Sequence, residues 1–462
     1  MRRRAEPFWR LVPAGALTCA VALFNRFPLT YFDSGRYLTN AYAFAHGVQP
    51  PPNRGAFPNP FFYRPISYSL LLTPFATPIT LWALPFVQGV LVAFTVDLAL
   101  RCAGVALSTR AFLLMFAGLV AGTSLPWFTG QVMPDFFTSL VILLVFTALW
   151  GGDRLERWER LTAAAILALG LASHLSHLPL YVALVAVGLL LRRLSLREPL
   201  SLGSLAARIA APLAAAVAVL VTSNWVVARK PVLSESADLF YLARLVGDGT
   251  AQRYLDRACP AREYLLCADR DDLHLDSDWF LWDPAGPWRK YQNDPAFLDD
   301  ARAIVRGTLR QEWRRQAIAS LRSALRQAGK FGTEPGWQRS EAEVAPALAD
   351  FGPATVTAYW ASRQGQRTLP LEAAGTLQRV CVWLALVVLL ACLPVLWAGR
   401  NRALLALVGV TFSGLALNAL VLGSLASVNA RYQSRVIWLV PLLACTAVVA
   451  ILETRRARSF DP

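Results

Sequence analysis

The sequence predicts an all-α polytopic membrane protein of about ten transmembrane helices. Both termini fall on the inner side, and a mainly helical extracytoplasmic insertion separates helices seven and eight. Three observations predict this fold class. Of the 462 residues, 55% are hydrophobic and only 16% charged, which excludes disordered, collagenous and small disulfide-scaffold classes. Apolar runs of about membrane-spanning length recur along the chain. The arginines, finally, are divided unequally among the loops joining those runs.

The runs cover 9–29, 79–99, 104–125, 136–150, 161–178, 179–192, 208–228, 377–398, 403–423 and 435–452, with the boundary between the fifth and sixth left open. Amphipathic soluble helices would carry a charged face every third or fourth residue, and these runs do not. The first run has the length of a signal peptide, but no small-residue A-x-A site follows it, so an uncleaved first helix is expected.

The net charge of +15, from 45 Lys+Arg against 30 Asp+Glu, fits either a nucleic-acid binder or a membrane protein with its positive side inside. Position decides between them. From Arg229 to Glu372 the chain holds 20 basic and 20 acidic residues, so the whole excess lies in or between the apolar runs. With Arg2, Arg3, Arg4 and Arg10 inside, strict alternation puts 18 of the 25 remaining basic residues on that side and seven on the other. One orientation, N-in and C-in, satisfies every loop, and no basic domain exists to grip nucleic acid.

This divides the chain into residues 1–228, holding helices one to seven with a first outer loop at 30–78; an extracytoplasmic (periplasmic) domain at 229–376; and residues 377–462, holding helices eight to ten and a cytoplasmic tail. Loops of such length are commonly functional. Within the second outer segment, Ala296–Gly329 reads as one or two helices. Arg302, Arg306, Arg310 and Arg314 recur every four residues, and Ile304, Leu309, Ile318 and Leu321 supply apolar positions. A solvated amphipathic helix is expected, with a helix on the membrane surface as the second reading. Cys259 and Cys267 close a short loop on the outer side, as a structural disulfide or two free thiols. The cluster Trp279-Phe280-Leu281-Trp282 reads as the aromatic core of a small domain or as a surface stacking on a sugar ring.

Candidate chemistry concentrates on the outer side. Asp33, in Tyr31-Phe32-Asp33-Ser34-Gly35-Arg36-Tyr37, stands where an apolar helix meets water. It reads as a general base set by a neighbouring arginine or as the cap of the following helix. Arg64, in Tyr63-Arg64-Pro65, reads as a bidentate phosphate ligand or as an interfacial anchor. Asp135, in Met133-Pro134-Asp135, is a second acid at the same level or another helix cap. His174 and His177 are spaced i, i+3, which suits a metal, but no carboxylate completes a set, and satisfied interfacial histidines are expected. Arg431, Tyr432 and Arg435 sit on the disfavoured side of the membrane, as anion ligands or as anchors. In the apolar runs Asp97 is exceptional, and its i, i+4 spacing to Arg101 predicts an ion pair near the inner boundary. The otherwise uncharged membrane centre argues against an ion-coupled transporter.

Taken in order, these elements resemble the GT-C class of membrane glycosyltransferases, including the aminoarabinose lipid A transferases and protein O-mannosyltransferases. The likeness is best in the N-terminal third: a first helix, Asp33 followed by Tyr37, an Ala-rich helix closing at Gly47, and Tyr63-Arg64-Pro65. It continues with Met133-Pro134-Asp135 and with Arg431, Tyr432 and Pro441. The resemblance implies transfer of a sugar from a polyprenyl-phosphate carrier to a lipid, glycan or protein acceptor at the outer face of a bacterial inner (plasma) membrane. Asp33 would deprotonate the acceptor, Asp135 would support it, and Arg64 would hold the leaving phosphate where relatives often carry Lys. Arg36, Tyr37, Tyr63, His174, His177, Arg431 and Tyr432 are the expected substrate-binding residues. The resemblance implies no particular cofactor and leaves a divalent metal open. The large soluble part lies between helices seven and eight, whereas several relatives carry theirs at the C-terminus. A lipid-carrier flippase and a non-catalytic envelope-assembly protein are the alternatives.

Overall fold

A computed structural model describes residues 8–52, 56–77, 79–151, 154–195, 202–259, 261–333, 337 and 341–459. Arg2, Arg3 and Arg4, which weigh in the orientation argument, lie outside the described residues.

The first apolar run is two helices, α1 (Leu11–Thr18) and α2 (Ala20–Asn25), ended by Arg26 in the left-handed conformation at φ 65°. The first outer loop contains α3 (Ser34–Ala45) and α4 (Ile66–Leu72). Then follow α5 (Ala83–Cys102), α6 (Thr109–Gly122), α7 (Leu125–Thr129), α8 (Phe137–Trp150), α9 (Arg157–Ser173), α10 (His177–Ser195) and α11 (Leu202–Ala228). The fifth and sixth runs therefore divide at Ser173–His177, and a Glu156–Glu159 capping box starts α9. The second outer segment holds α12 (Ala237–Gly247), α13 (Thr250–Ala258), α14 (Ser277–Trp282), α15 (Pro287–Tyr291), α16 (Ala296–Gly329), α17 (Glu341–Ala349) and α18 (Pro353–Ala361). The chain closes with α19 (Leu371–Ala398), α20 (Arg402–Leu425), α21 (Ala430–Ile437) and α22 (Leu439–Ser459).

All ten apolar runs are helical. Among the described residues six helical segments are long and apolar enough to cross a membrane: Thr80–Cys102, His177–Leu194, Leu205–Ala228, Leu371–Ala398, Arg402–Leu425 and Ala430–Glu453. Shorter apolar helices occupy Leu11–Asn25, Ile66–Phe75, Thr109–Gly122 and Pro134–Trp150. The chain thus has the build of a helical membrane protein.

Small residues set a close crossing between α1 and α5. A Cβ at Gly89 of α5 would lie 2.0 Å from Thr18 Oγ1 and 2.6 Å from the Gly15 carbonyl of α1, so the two backbones meet where no side chain fits. At the C-terminal end of α5 Arg101 Nε reaches Asp97 at 2.9 Å, the pair its spacing predicts, and Arg10 and Glu159 extend it into a network.

The second outer segment divides between two cores. Leu239, Leu242, Val246, Leu255, Phe280, Trp288, Phe297 and Ile304 pack together with Phe57 and Phe62 of the first outer loop. Phe331, Trp337, Leu348, Phe351 and Tyr359 instead join the core of the apolar helices. Cys259 and Cys267 form a disulfide with Cα atoms 5.5 Å apart. Trp279 stacks on His274 at 4.2 Å, and Trp282 leans on Tyr63 and Phe240 at 5.7 and 6.1 Å.

One expectation is corrected in α16, which kinks at Glu312. Ile304 is buried as expected, but Ile318 and Leu321 face outward, 61% and 58% exposed. The inward line of the second half is Gln316, Ser323, Ala324 and Gln327. The cause is the crossing with α20, where a Cβ on Gly423 would lie 2.6 Å from the Ala324 amide nitrogen. Only small side chains fit there, so the branched ones turn away.

Candidate functional site

The loops that carry the two acids are stitched together through their backbones. Leu29 N–H donates to the Gly130 carbonyl and Val132 N–H to the Leu29 carbonyl, both at 2.8 Å, an isolated parallel bridge. Ser34 Oγ donates to the Val132 carbonyl at 2.8 Å. From α5, Gln88 Nε2 donates to the carbonyls of Thr129 and Gln131 at 2.8 and 2.9 Å. From the second outer segment, the Gln364 amide accepts from Thr30 N–H at 3.0 Å and donates to the Thr30 carbonyl at 2.8 Å. These bonds bring Asp33 and Asp135 to one place. α21 is fixed beside them: Asn429 caps it through Arg431 N–H at 2.9 Å, and Ser434 Oγ accepts from Gly332 N–H at 2.7 Å.

Arg431 and Arg435, one turn apart on α21, point at the acids. Arg431 Nη2 meets Asp135 Oδ2 at 2.8 Å, and its Nη1 lies 3.8 Å from Asp33 Oδ2, so one guanidinium spans both carboxylates. Arg435 Nη1 meets Asp135 Oδ1 at 3.1 Å, and its Nη2 donates to Asn418 Oδ1 at 3.1 Å. Arg64 Nη2 pairs with Asp33 Oδ1. The rings of Tyr31 and Tyr432 lie 4.3 and 5.8 Å from the Arg431 guanidinium carbon, within cation–π range. Asp135 and Arg435 are wholly buried, whereas the Asp33 side chain is 21% exposed. The chain of charges therefore runs from the protein interior to a part-exposed surface.

Neither acid is a helix cap. Asp33 occupies the position before α3, but its side chain makes no capping bond, and Asp135 lies within a short 3₁₀ turn (Pro134–Phe136) with its carboxylate on the two arginines. Burial alone would lower the Arg64 pKa, but the Asp33 carboxylate more than offsets it and the net direction is upward. Burial raises the Tyr37 phenol well above its usual range, so it stays neutral.

The other expected residues divide. Tyr37 is buried beside the cluster, edge-on to Tyr68 at 5.0 Å. Tyr63 turns toward the outer segment, where its hydroxyl accepts from Trp288 Nε1 at 2.7 Å. Arg36 donates to the Pro51 carbonyl at 3.1 Å. His174 Nδ1 accepts from Ser176 N–H at 3.2 Å. His177 is occupied on both sides: Nδ1 must donate to the Gly170 carbonyl at 2.7 Å, leaving Nε2 to accept from Thr138 Oγ1 at 2.8 Å. Among the described residues no three His, Cys, Asp or Glu side chains come together. Both site carboxylates face guanidiniums. A small cleft bounded by Phe61, Ile66, Leu175, Leu220 and Asn224 has Arg64 in its wall.

Sequence reasoning missed Asn418, Tyr31, Gln88 and Gln364. Asn418 and Gln88, each an amide side chain inside an apolar run, were the available signals, since such residues are costly in lipid without a partner. No known family model matches the chain, and comparisons with curated proteins and with solved structures likewise return no match.

Proposed function

We propose that this protein is a GT-C type glycosyltransferase that moves a sugar from a polyprenyl-phosphate donor to an envelope lipid, glycan or protein acceptor at the outer face of the inner membrane. On this reading ten helices cross the membrane, N-in and C-in. The observation that carries the reading is the linked series Asp33, Arg64, Arg431 and Asp135. A partly exposed carboxylate with no capping role stands beside one guanidinium, and a second guanidinium ties it to a buried acid.

Asp33 takes the proton of an acceptor hydroxyl as that oxygen attacks the anomeric carbon. The bond from this carbon to the phosphate oxygen breaks, and polyprenyl phosphate leaves with the electron pair. Protonation of Asp33 releases Arg64, which, with Arg431, receives the charge growing on the phosphate. Among the described residues the cluster holds three guanidiniums and two carboxylates, a positive excess matched to an anionic donor. Asp135 touches no reactant on this scheme; it holds Arg431 and Arg435 in place.

The test compares envelope glycolipids and glycans by mass spectrometry in deletion, wild-type, Asp33→Asn and Arg64→Ala cells. Both variants are expected to accumulate normally while transfer falls by about 10²–10⁴-fold or more for Asp33→Asn, the usual range for removing a general base. The hexose, pentose or uronic acid missing from the deletion names the donor sugar. Unchanged glycans in Asp33→Asn cells sink the mechanism and favour a lipid-carrier flippase or an assembly protein.

A further inference from the structure

A cleft of about 50 Å³ opens between α8, α9 and α11, several times the space that one water needs. Leu144 of α8, Ala163, Ala164 and Leu167 of α9, and Arg160 and Arg208 line it. Arg160, Ala163, Ala164 and Leu167 follow the spacing i, i+3, i+4, i+7 and so share one face of α9. Thr147 also borders the cleft, but its hydroxyl donates to the Leu143 carbonyl at 2.9 Å, within its own helix. The cleft lies away from the charge cluster: Arg160 is the fourth residue of α9, whereas Ser176, which meets Arg435 at 3.5 Å, lies beyond its last.

The chemistry of the cleft changes along its length. After Arg160 the residues Leu161–Ser173 of α9 carry no charge, and after Arg208 the residues Ile209–Ala228 of α11 carry none. Both arginines thus stand at the edge of the apolar layer, and Leu167, seven residues beyond Arg160, lies about 10 Å inside it. From Gly151 to Arg208 the chain holds seven arginines and four acidic residues. One of those acids, Glu159, is already engaged by Arg101 of α5. The mouth therefore keeps a positive excess whatever pairs form among the rest, and it leads into an apolar slot that Ala163 and Ala164 leave open.

We propose that this cleft binds one anionic phospholipid, its head-group phosphate on Arg160 and Arg208 and an acyl chain along Ala163, Ala164 and Leu167. An apolar slot does not hold water, and hydrocarbon is the filling that a bilayer supplies. Guanidiniums meet phosphate oxygens through paired N–H donors, and basic pockets between membrane helices suit lipid head groups. The bound lipid bridges α8, α9 and α11 at the end remote from the charge cluster. Nothing in this contact depends on glycosyl transfer; it requires only that the apolar helices span a bilayer.

Native mass spectrometry of the full chain, titrated in detergent with phosphatidylglycerol or phosphatidylcholine, reads the affinity of the first bound lipid. The unsubstituted chain is expected to bind phosphatidylglycerol about tenfold or more tightly than phosphatidylcholine. The double variant Arg160→Gln/Arg208→Gln is expected to weaken phosphatidylglycerol about 30-fold, at about fivefold per arginine. Arg110→Gln, which removes an exposed arginine at the start of α6, is expected to leave it unchanged. Ala164→Leu, at a partly buried position, keeps both arginines and fills the slot. It is expected to weaken phosphatidylglycerol about tenfold or more, the effect of expelling two methylene groups. Equal affinity for the two lipids in the unsubstituted chain overturns the proposal without recourse to any variant. An equal loss in Arg110→Gln overturns it as well, since the attraction is then general, and so does full affinity in Ala164→Leu, since no chain then occupies the slot.

Discussion

Asp135 and Arg435 share a site with no exposed surface on either side chain, and Arg431 shares the same carboxylate. Taking charges out of water is tolerable here because each finds an opposite partner, and the penalty returns when one partner is removed. Asp135→Ala leaves two buried guanidiniums facing each other. It is expected to cost about 3–5 kcal/mol, read as a lowered thermal-unfolding midpoint in detergent and as poor accumulation. Asp33→Asn, at the part-exposed end of the same series, keeps an amide oxygen toward Arg64 and leaves Arg431 its bond to Asp135, so it is expected to lower the midpoint by less than Asp135→Ala does. Equal destabilisation by the two substitutions would contradict the separation of a chemical acid from a positioning acid. Arg64 belongs with Asp33 in this respect: its loss removes a charge partner near water, so activity should fall further than stability.

Short elements do most of the positioning. α21 is eight residues long, yet it presents Arg431 and Arg435 from one face and is held at both Asn429 and Ser434. Behind it, α1 and α5 approach so closely at Gly15 and Gly89 that α5 can deliver Gln88 to the loop bearing Gln131. Gly89→Leu forces these helices apart. Overpacking of this kind costs about 1–3 kcal/mol, and size-exclusion of the purified variant is expected to show loss of the monodisperse peak together with loss of transfer. The same logic governs α16 against α20 at Gly423 and Ala324. There the demand for small residues inverts the helix, placing polar and small groups inward and leucines outward.

On the scale of the whole molecule, charge reports orientation. The arginine excess on one side of the apolar helices predicts that an alkaline phosphatase reporter inserted in the second outer segment, after Pro284, is active, and that one inserted at Arg400 is inactive. Activity at Arg400 would reverse the orientation and move Asp33 to the wrong side for an outer-face reaction. The second outer segment also does not stand apart from the rest. Phe57 and Phe62 complete one of its clusters, and Phe331, Trp337, Leu348, Phe351, Tyr359 and Leu369 lie in the core of the apolar helices. Gln364 then reaches the Asp33 loop through Thr30, so the insertion helps to shape the site.

By itself the sequence determined the helical class, the positions of the apolar runs and the residues able to carry charge chemistry, because hydrophobic length and charge bias are local quantities that survive without a partner. It could not decide whether Asp33 and Asp135 cap helices, since a cap and a site acid look alike until the carboxylate's neighbour is known. Nor could apolar spacing orient α16, where the packing of Ala324 on Gly423 overrode the preference to bury Ile318 and Leu321. Tertiary structure settled these points through contacts between residues far apart in the chain. A two-residue bridge joined the acid-bearing loops, Arg431 linked Asp33 to Asp135, and three amide side chains, Asn418, Gln88 and Gln364, held the arrangement from other parts of the chain.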